Sequence, residues 1–458
     1  MIYNLLELGK QALLRAQKLG ALEAEVFMVR SRGSSIEIEN SNVKSAFHKE
    51  ELACVIRSAL GKQLGCSYVS SVAKEDVLEA VAQSVKLAKA NIPDDHFMGL
   101  PSLQDRYSEP SGIYDPNLEK LTSEEALDLA MRMVTAAKDY DARISAVMAK
   151  FETVSEEVVV ANTSGIEGET KTTALNITIG PTAKDGDQRS ALHDFQSKRS
   201  LKNFEPEEIG ENIGRRTINT LASKTIESGE MPVVIDPFAL LALFGPFGLG
   251  GAINAFEVQN ERSFLADALE KDVAPEIVTI TDDSLISSEI GSRPFDAEGY
   301  PSQTTEIIQQ GVLKSYLHNS YTSNKGKTAN TGNASRSKGV WPYSEINISP
   351  SNLIIKAGSK PQEDLIADIP KGVFLKDTGD VPNLVTGDLS AMVVEGYSIE
   401  NGTLEHALKN TMVGINMKDL LSRISGIGGD IRHHAYPGRK YSVISPSIVI
   451  ESAKITSS

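Results

Sequence analysis

Hydrolysis at a metal ion needs imidazoles, carboxylates or thiolates that converge on one point, and a helix supplies them when ligands share a face beside a carboxylate base. The 458-residue chain holds seven histidines: His48, His96, His193, His318, His406, His433 and His434. No two of them stand at helical ligand spacing, and the adjacent His433 and His434 point to opposite faces of a regular strand. His193, beside Asp194, and His318 would need tertiary folding to meet. Asp296 and Glu298, in the run RPFDAEGYPSQ, fall on one side of an extended segment, where they could act as acid and base or hold a cation. The plainer reading of the same run is a polar loop with a turn at Glu298-Gly299.

The stretch ALFGPFGLGGAINAF at 242–256 places Gly245, Gly248, Gly250 and Gly251 in an apolar context. Its spacing matches neither G-x-G-x-x-G nor the P-loop, and no Lys-Ser or Lys-Thr follows, so a phosphate cradle is disfavoured. Pro246 and the glycines predict a short apolar helix ending near Phe244 and then a close-packed turn. No G-x-S-x-G elbow marks a serine nucleophile. Cys54 and Cys66, the two cysteines, fall in strand-like sequence and form no metal knuckle or disulfide framework.

The elements that position these groups follow from periodicity. Residues 1–91 read as one α+β unit: a helix carrying Leu5, Leu6, Leu13, Leu14 and Ala16 on or near one face and stopping near Gly20, a meander, and a second helix. Residues 92–119 are rich in Pro, Gly and Ser and read as a linker or surface crossing. Residues 120–224 repeat the pattern, with Ser123 as the expected cap of the helix SEEALDLAMRMVTAAKDYD and NTSG at 162–165 as a hairpin turn. Residues 225–458 are dominated by strand-like segments and read as one β-rich domain. The fold class expected is α+β: an N-terminal α/β region of two helix-plus-meander units and a β-rich C-terminal domain.

With 46 basic against 61 acidic residues, the net charge of −15 disfavours nucleic-acid and anionic-membrane binding. No apolar run approaches the ~20 residues that span a bilayer, and the first residues lack a signal-peptide pattern, so a cytoplasmic location is the default expectation.

The string beginning PVVIDPFALLALFGPFGLGG, then RPFDAEGYPSQTTEIIQQGVLKSYLHNSYTSNK and TGNASR, resembles the TldD/PmbA family, whose older label is modulator of DNA gyrase. ELACVIRSALGKQLGCSYVSS and VVVANTSGIEGETKTTALNITI are similar to its amino-terminal strands. In TldD-type members a central helix carries His-Glu-x-x-x-His, and with a cysteine near the C-terminus it holds zinc for peptide hydrolysis. Laid on this sequence, the resemblance puts Phe244 and Leu249 where the histidines would be and Gly245 where the glutamate would be, and no cysteine follows Cys66. The resemblance therefore implies the PmbA type, also called TldE: a subunit with no zinc or other cofactor of its own, paired with a zinc-bearing TldD-type peptidase that acts on small peptides or unfolded chains. Asp296, Glu298, His318 and Asn333, within the matching strings, stand as candidate cleft residues. A homodimer is a further expectation. Two other readings stay open: a protein-binding module acting on DNA gyrase or another partner, and an independent hydrolase with an unrecognised site.

Overall fold

The structure, a computed structural model, describes residues 4–103, 106–336 and 345–458. Helix α1 (Leu5–Lys18) starts where the Asn4 side chain accepts from the Glu7 amide, and it buries Leu5, Leu8, Ala12, Leu13 and Ala16. Leu14, expected near that face, is exposed. Adjacent helical positions lie about 100° apart, so Leu13 and Leu14 cannot both enter one narrow stripe.

Strands β1 (Glu23–Glu39), β2 (Asn42–Leu60) and β3 (Gln63–Val69) precede helix α2 (Lys74–Ala90). Helices α3 (Pro116–Lys120) and α4 (Ser123–Asp139) lead into β4 (Ile144–Asn162), β5 (Glu167–Asp185), β6 (Gln188–Ala191) and β7 (Asp194–Lys198), followed by α5 (Pro206–Asn219). The cap of α4 is Thr122 rather than Ser123. Thr122 and Glu125 form a reciprocal capping box, which satisfies two orphan amides where a Ser123 cap would satisfy one. At the NTSG turn Asn162 Oδ1 accepts from the Ser164 and Ile166 amides, and Gly165 takes a positive φ of 97°.

All seven strands join one sheet in the order β3-β2-β1-β4-β5-β6, with β7 also on β5. The order mirrors itself about the antiparallel β1–β4 pair, in which Phe27 faces Val160. The period of two then sorts the β1 side chains. Val26 and Met28 pack beneath α1 and α2, while Phe27 and Val29 face the other way and meet Phe295 of the C-terminal region. Under α4 and α5 lies a separate apolar cluster around Phe151, Leu175 and Ile177. Helices thus cover one face of the sheet, and the other is left for the C-terminal domain. Along the 92–119 crossing Phe97, Leu100 and Ile113 are buried, and the Tyr107 ring lies 5.0 Å from that of Phe295.

Beyond α5, strand β8 (Gly229–Ile235) runs parallel to Lys371–Asp377 and antiparallel to Ile448–Ser457 inside an eight-stranded sheet. A six-stranded sheet includes Ile280–Asp283, Asn352–Ile355, Ser442–Ser445 and Arg432–His434. Helix α6 (Pro237–Phe244) packs against strands of both sheets. Its sequence PFALLALF is apolar all round, and every one of its residues is buried, as an element between two sheets requires. The fold is α+β, with strand content of 40% outweighing helix at 23%. Among the described residues no helix is long and apolar enough to cross a membrane.

Candidate functional site

Helix α6 is capped by Asp236, whose Oδ1 accepts from the Phe238 amide at 2.9 Å, and it ends at Phe244. Gly245 to Gly248 form a tight loop before the single turn α7 (Leu249–Ala252). Both Phe244 and Leu249 are fully buried within the C-terminal core. A Cβ on Gly245 would lie 2.6 Å from the Leu241 carbonyl oxygen and 3.3 Å from the Tyr441 ring, and one on Gly248 would lie 1.9 Å from the Leu243 carbonyl oxygen. Glycine is required at both by close backbone approach. None of Phe244, Gly245 and Leu249 offers a ligand atom, so these positions do not fit a zinc ion. Among the described residues no cluster of three or more His, Cys, Asp or Glu side chains is arranged to hold a metal.

The α6–α7 loop opens onto a cleft of about 540 Å³ between the two sheet systems. Gly245, Pro246 and Phe247 form one wall, Thr178, His193 and Phe195 of the N-terminal sheet another, and Asp377, Tyr436 and Tyr441 a third. Across it His193 Nε2 stands 3.6 Å from Asp377 Oδ2. Burial raises the pKa of Asp377, opposed by His193 and reinforced by Glu395. A second, smaller cavity of about 150 Å³ lies against β4 and β5 and is lined by Glu156, Thr172, Asn176, Asp296 and Arg336. Arg439 lines both, so the two spaces share the 435–441 loop as a common wall.

The four candidate cleft residues are buried members of hydrogen-bond networks. Asp296 Oδ1 accepts from the amides of Glu298 and Tyr300 and Oδ2 from that of Ala334, which closes the turn at Glu298-Gly299. Burial raises its pKa, and the neighbouring Glu298 adds to the rise. Glu298 joins the domains: Oε1 accepts from Arg57 of β2 at 3.0 Å and Oε2 from the Ser320 amide at 2.9 Å. Arg57 also meets the buried Glu25 at 2.8 Å, and Glu25 meets Arg336 at 2.7 Å. His318 Nδ1 lies 3.2 Å from the Thr322 hydroxyl, and burial pushes its pKa down to about 4. Asn333 donates to Asp282 at 2.7 Å, and burial raises that carboxyl to about 6. Of the four, only Asp296 borders one of the two cavities; the Asn333 amide donates to the His318 carbonyl at 3.2 Å, and the amides of Ala334 and Ser320, one and two residues further along, donate to Asp296 and Glu298, so all four share one buried network.

Three family models match in tandem: PmbA/TldA metallopeptidase domain 1 over residues 24–88, the central domain over 116–221 and the C-terminal domain over 228–457. The chain belongs to the PmbA/TldD family. It is 24% identical over 450 residues to the metalloprotease PmbA homolog of Haemophilus influenzae, spanning 96% of this chain and 93% of that one. The crystal structure of TldE from Thermococcus kodakarensis shares the fold with a TM-score of 0.88 at 23% identity, over 98% of this chain and 100% of that one. A crystal structure from Thermotoga maritima, described as a putative modulator of a DNA gyrase, matches with a TM-score of 0.85 at 24% identity over 98% and 99%.

In this PmbA/TldD chain the wall of the larger cleft rests on a charge cluster that sequence reading did not find. Arg216 of α5 binds Glu395 through Nε at 3.0 Å and Asp194 through Nη1 at 2.6 Å, with Asp377 close behind. Burial raises the pKa of Asp194. The partners are 22 and 179 residues from Arg216 in the chain, which is why no local motif announces them. One signal existed: Arg216 lies at Ile213+3 and Thr220−4, on the buried face of an amphipathic helix. A charge on that face requires a buried partner.

Proposed function

We propose that this chain is the PmbA/TldE-like, non-catalytic subunit of a TldD/TldE-type zinc metallopeptidase acting on small peptides or unfolded chains. A TldD-type partner supplies zinc, the attacking water and the base, while this chain shapes the cleft. The observation that carries the reading is the geometry at 244–249: two side chains buried in the core and a glycine with no room for a side chain, at the positions matching the zinc ligands and base of TldD-type members. The cleft that Gly245 borders is of a size that takes a short peptide.

The purified chain, assayed for bound zinc and for peptide hydrolysis with and without a TldD-type subunit, tests this. Substoichiometric zinc and hydrolysis only with the partner are expected. A full zinc equivalent on the isolated chain overturns the reading. So does hydrolysis by the chain alone, which Asp377→Asn would then trace to the His193–Asp377 pair.

A further inference from the structure

A concentration of basic residues in this acidic protein lies in a cavity of about 670 Å³ where β7 and α5 meet the C-terminal strands Lys371–Asp377 and Arg432–His434. Six cationic residues line it, Lys198, Arg199, Lys202, Arg216, Lys376 and Arg432, against three carboxylates, Asp194, Asp236 and Glu289. The carboxylates are already engaged. Asp194 holds Arg216, Asp236 caps α6, and Glu289 accepts from His433 Nδ1 at 2.7 Å and from the Ser442 hydroxyl at 3.3 Å.

Four of the cations lack an equivalent partner. Among the described residues Lys198 Nζ reaches only the Asn203 carbonyl, at 3.3 Å, and burial lowers its pKa although Glu208 and Glu205 act to raise it. Lys376 has Asp236 at 3.7 Å, beyond hydrogen-bond reach. Lys202 and Arg432, both exposed at the rim, have no carboxylate within ion-pair distance among the described residues. At the same cavity His434 Nε2 is buried with no hydrogen-bond partner among the described residues. Cations that outnumber the carboxylates around a cavity, with Lys198 and Lys376 half-buried in its wall, are the mark of a site for an anionic ligand.

We propose that this cavity seats an acidic peptide segment, its carboxylates meeting Lys198, Lys202, Lys376 and Arg432. The wall between the cations favours a peptide over a phosphate ester. It is a run of rings, with Phe195 at 4.7 Å from Phe238 and Phe238 edge-on to His434 at 5.3 Å, and it suits side chains and extended backbone. Phe195 also borders the cleft beside Gly245, so its ring is a wall common to the two spaces. That the bound peptide is a substrate rests on the peptidase-subunit reading; that it binds does not.

The test is fluorescence anisotropy of the isolated full chain with a labelled octapeptide of glutamates, compared with the same peptide of glutamines. The glutamate peptide is expected to bind at least about tenfold more tightly, and more weakly as salt rises. Lys198→Gln combined with Arg432→Gln should weaken it by about tenfold at unchanged melting temperature. Lys62→Gln, in an ion pair with Asp95 outside the cavity lining, should leave it unaltered. Equal affinity for the two peptides, or full affinity in the double variant, overturns the proposal. Displacement of the peptide by inorganic phosphate at concentrations where acetate has no effect also overturns it and assigns the cavity to phosphate esters. No partner is present in this assay, so its failure leaves partner-dependent hydrolysis standing, and the reverse.

Discussion

Two regions on either side of α6 have opposite character. At its C-terminal end Phe244 and Leu249 are buried in an apolar core, and Gly245 and Gly248 leave no room for a side chain. Near its N-terminal end the space beside Asp236 and Phe238 is charged and lined by six cationic residues against three carboxylates. The positions matching the zinc motif are filled by packing at one end of the helix, while the cavity near the other carries an excess of cations. Space and excess charge, rather than position on a familiar motif, are the features a ligand of this chain would recognise.

The largest effect should come from breaking the closed region. Phe244→Ala deletes a fully buried ring and should cost about 4 kcal/mol in chemical denaturation. The combined Phe244→His, Gly245→Glu and Leu249→His variant should be less stable still and bind no zinc, because the added Cβ meets the Leu241 carbonyl and two imidazoles would enter an apolar core. A well-folded triple variant with one zinc equivalent would falsify the claim that packing has closed this site.

Next in size is Arg216→Met, at about 3 kcal/mol, since it strands Glu395 and Asp194 as unpaired buried acids. Adding Glu395→Gln should restore part of the loss. If the double variant is as unstable as the sum of the single ones, the cluster is not acting as a unit.

A smaller, pH-dependent effect is expected at Asp377. Its folded pKa lies above the unfolded value of about 3.9, so the folded state holds the proton more tightly and stability falls as pH rises through that window, then levels off. Asp377→Asn removes the titration. The variant should match the parent near pH 4 and exceed it by about 1–2 kcal/mol at pH 8, followed as melting temperature against pH. A gain that grows on acidification instead would reverse the assignment.

Much of the scaffold was legible because its signals are local. The 3.6 and 2.0 periods, the Gly165 turn and the stop after Phe244 each depend on a few neighbouring residues. The Thr122 cap was missed because two adjacent hydroxyl residues offer the same signature and only the Glu125 side chain decides between them. The Arg216 cluster was illegible for a different reason. Its acids come from β7 and two C-terminal strands, and only the mirrored sheet order and the docking of domains bring them together.

The smallest stability effect is expected three residues from the largest. Phe247 sits in the same apolar run as Phe244, yet its side chain stands 59% exposed at the mouth of the cleft. Phe247→Ser should therefore change unfolding free energy by no more than about 0.5 kcal/mol, since little packing is removed. If the cleft takes a peptide as proposed, the Phe247 ring at its mouth would contact it, and removing the ring should weaken capture of a neutral, apolar peptide while leaving the glutamate octapeptide unchanged. Phe244→Ala, where the protein remains folded, should do the reverse: lower stability with little effect on either peptide. Equal losses of stability at the two positions would show that the loop is closed on both sides. Equal losses of acidic and apolar peptide at Phe247 would merge the two regions into a single site.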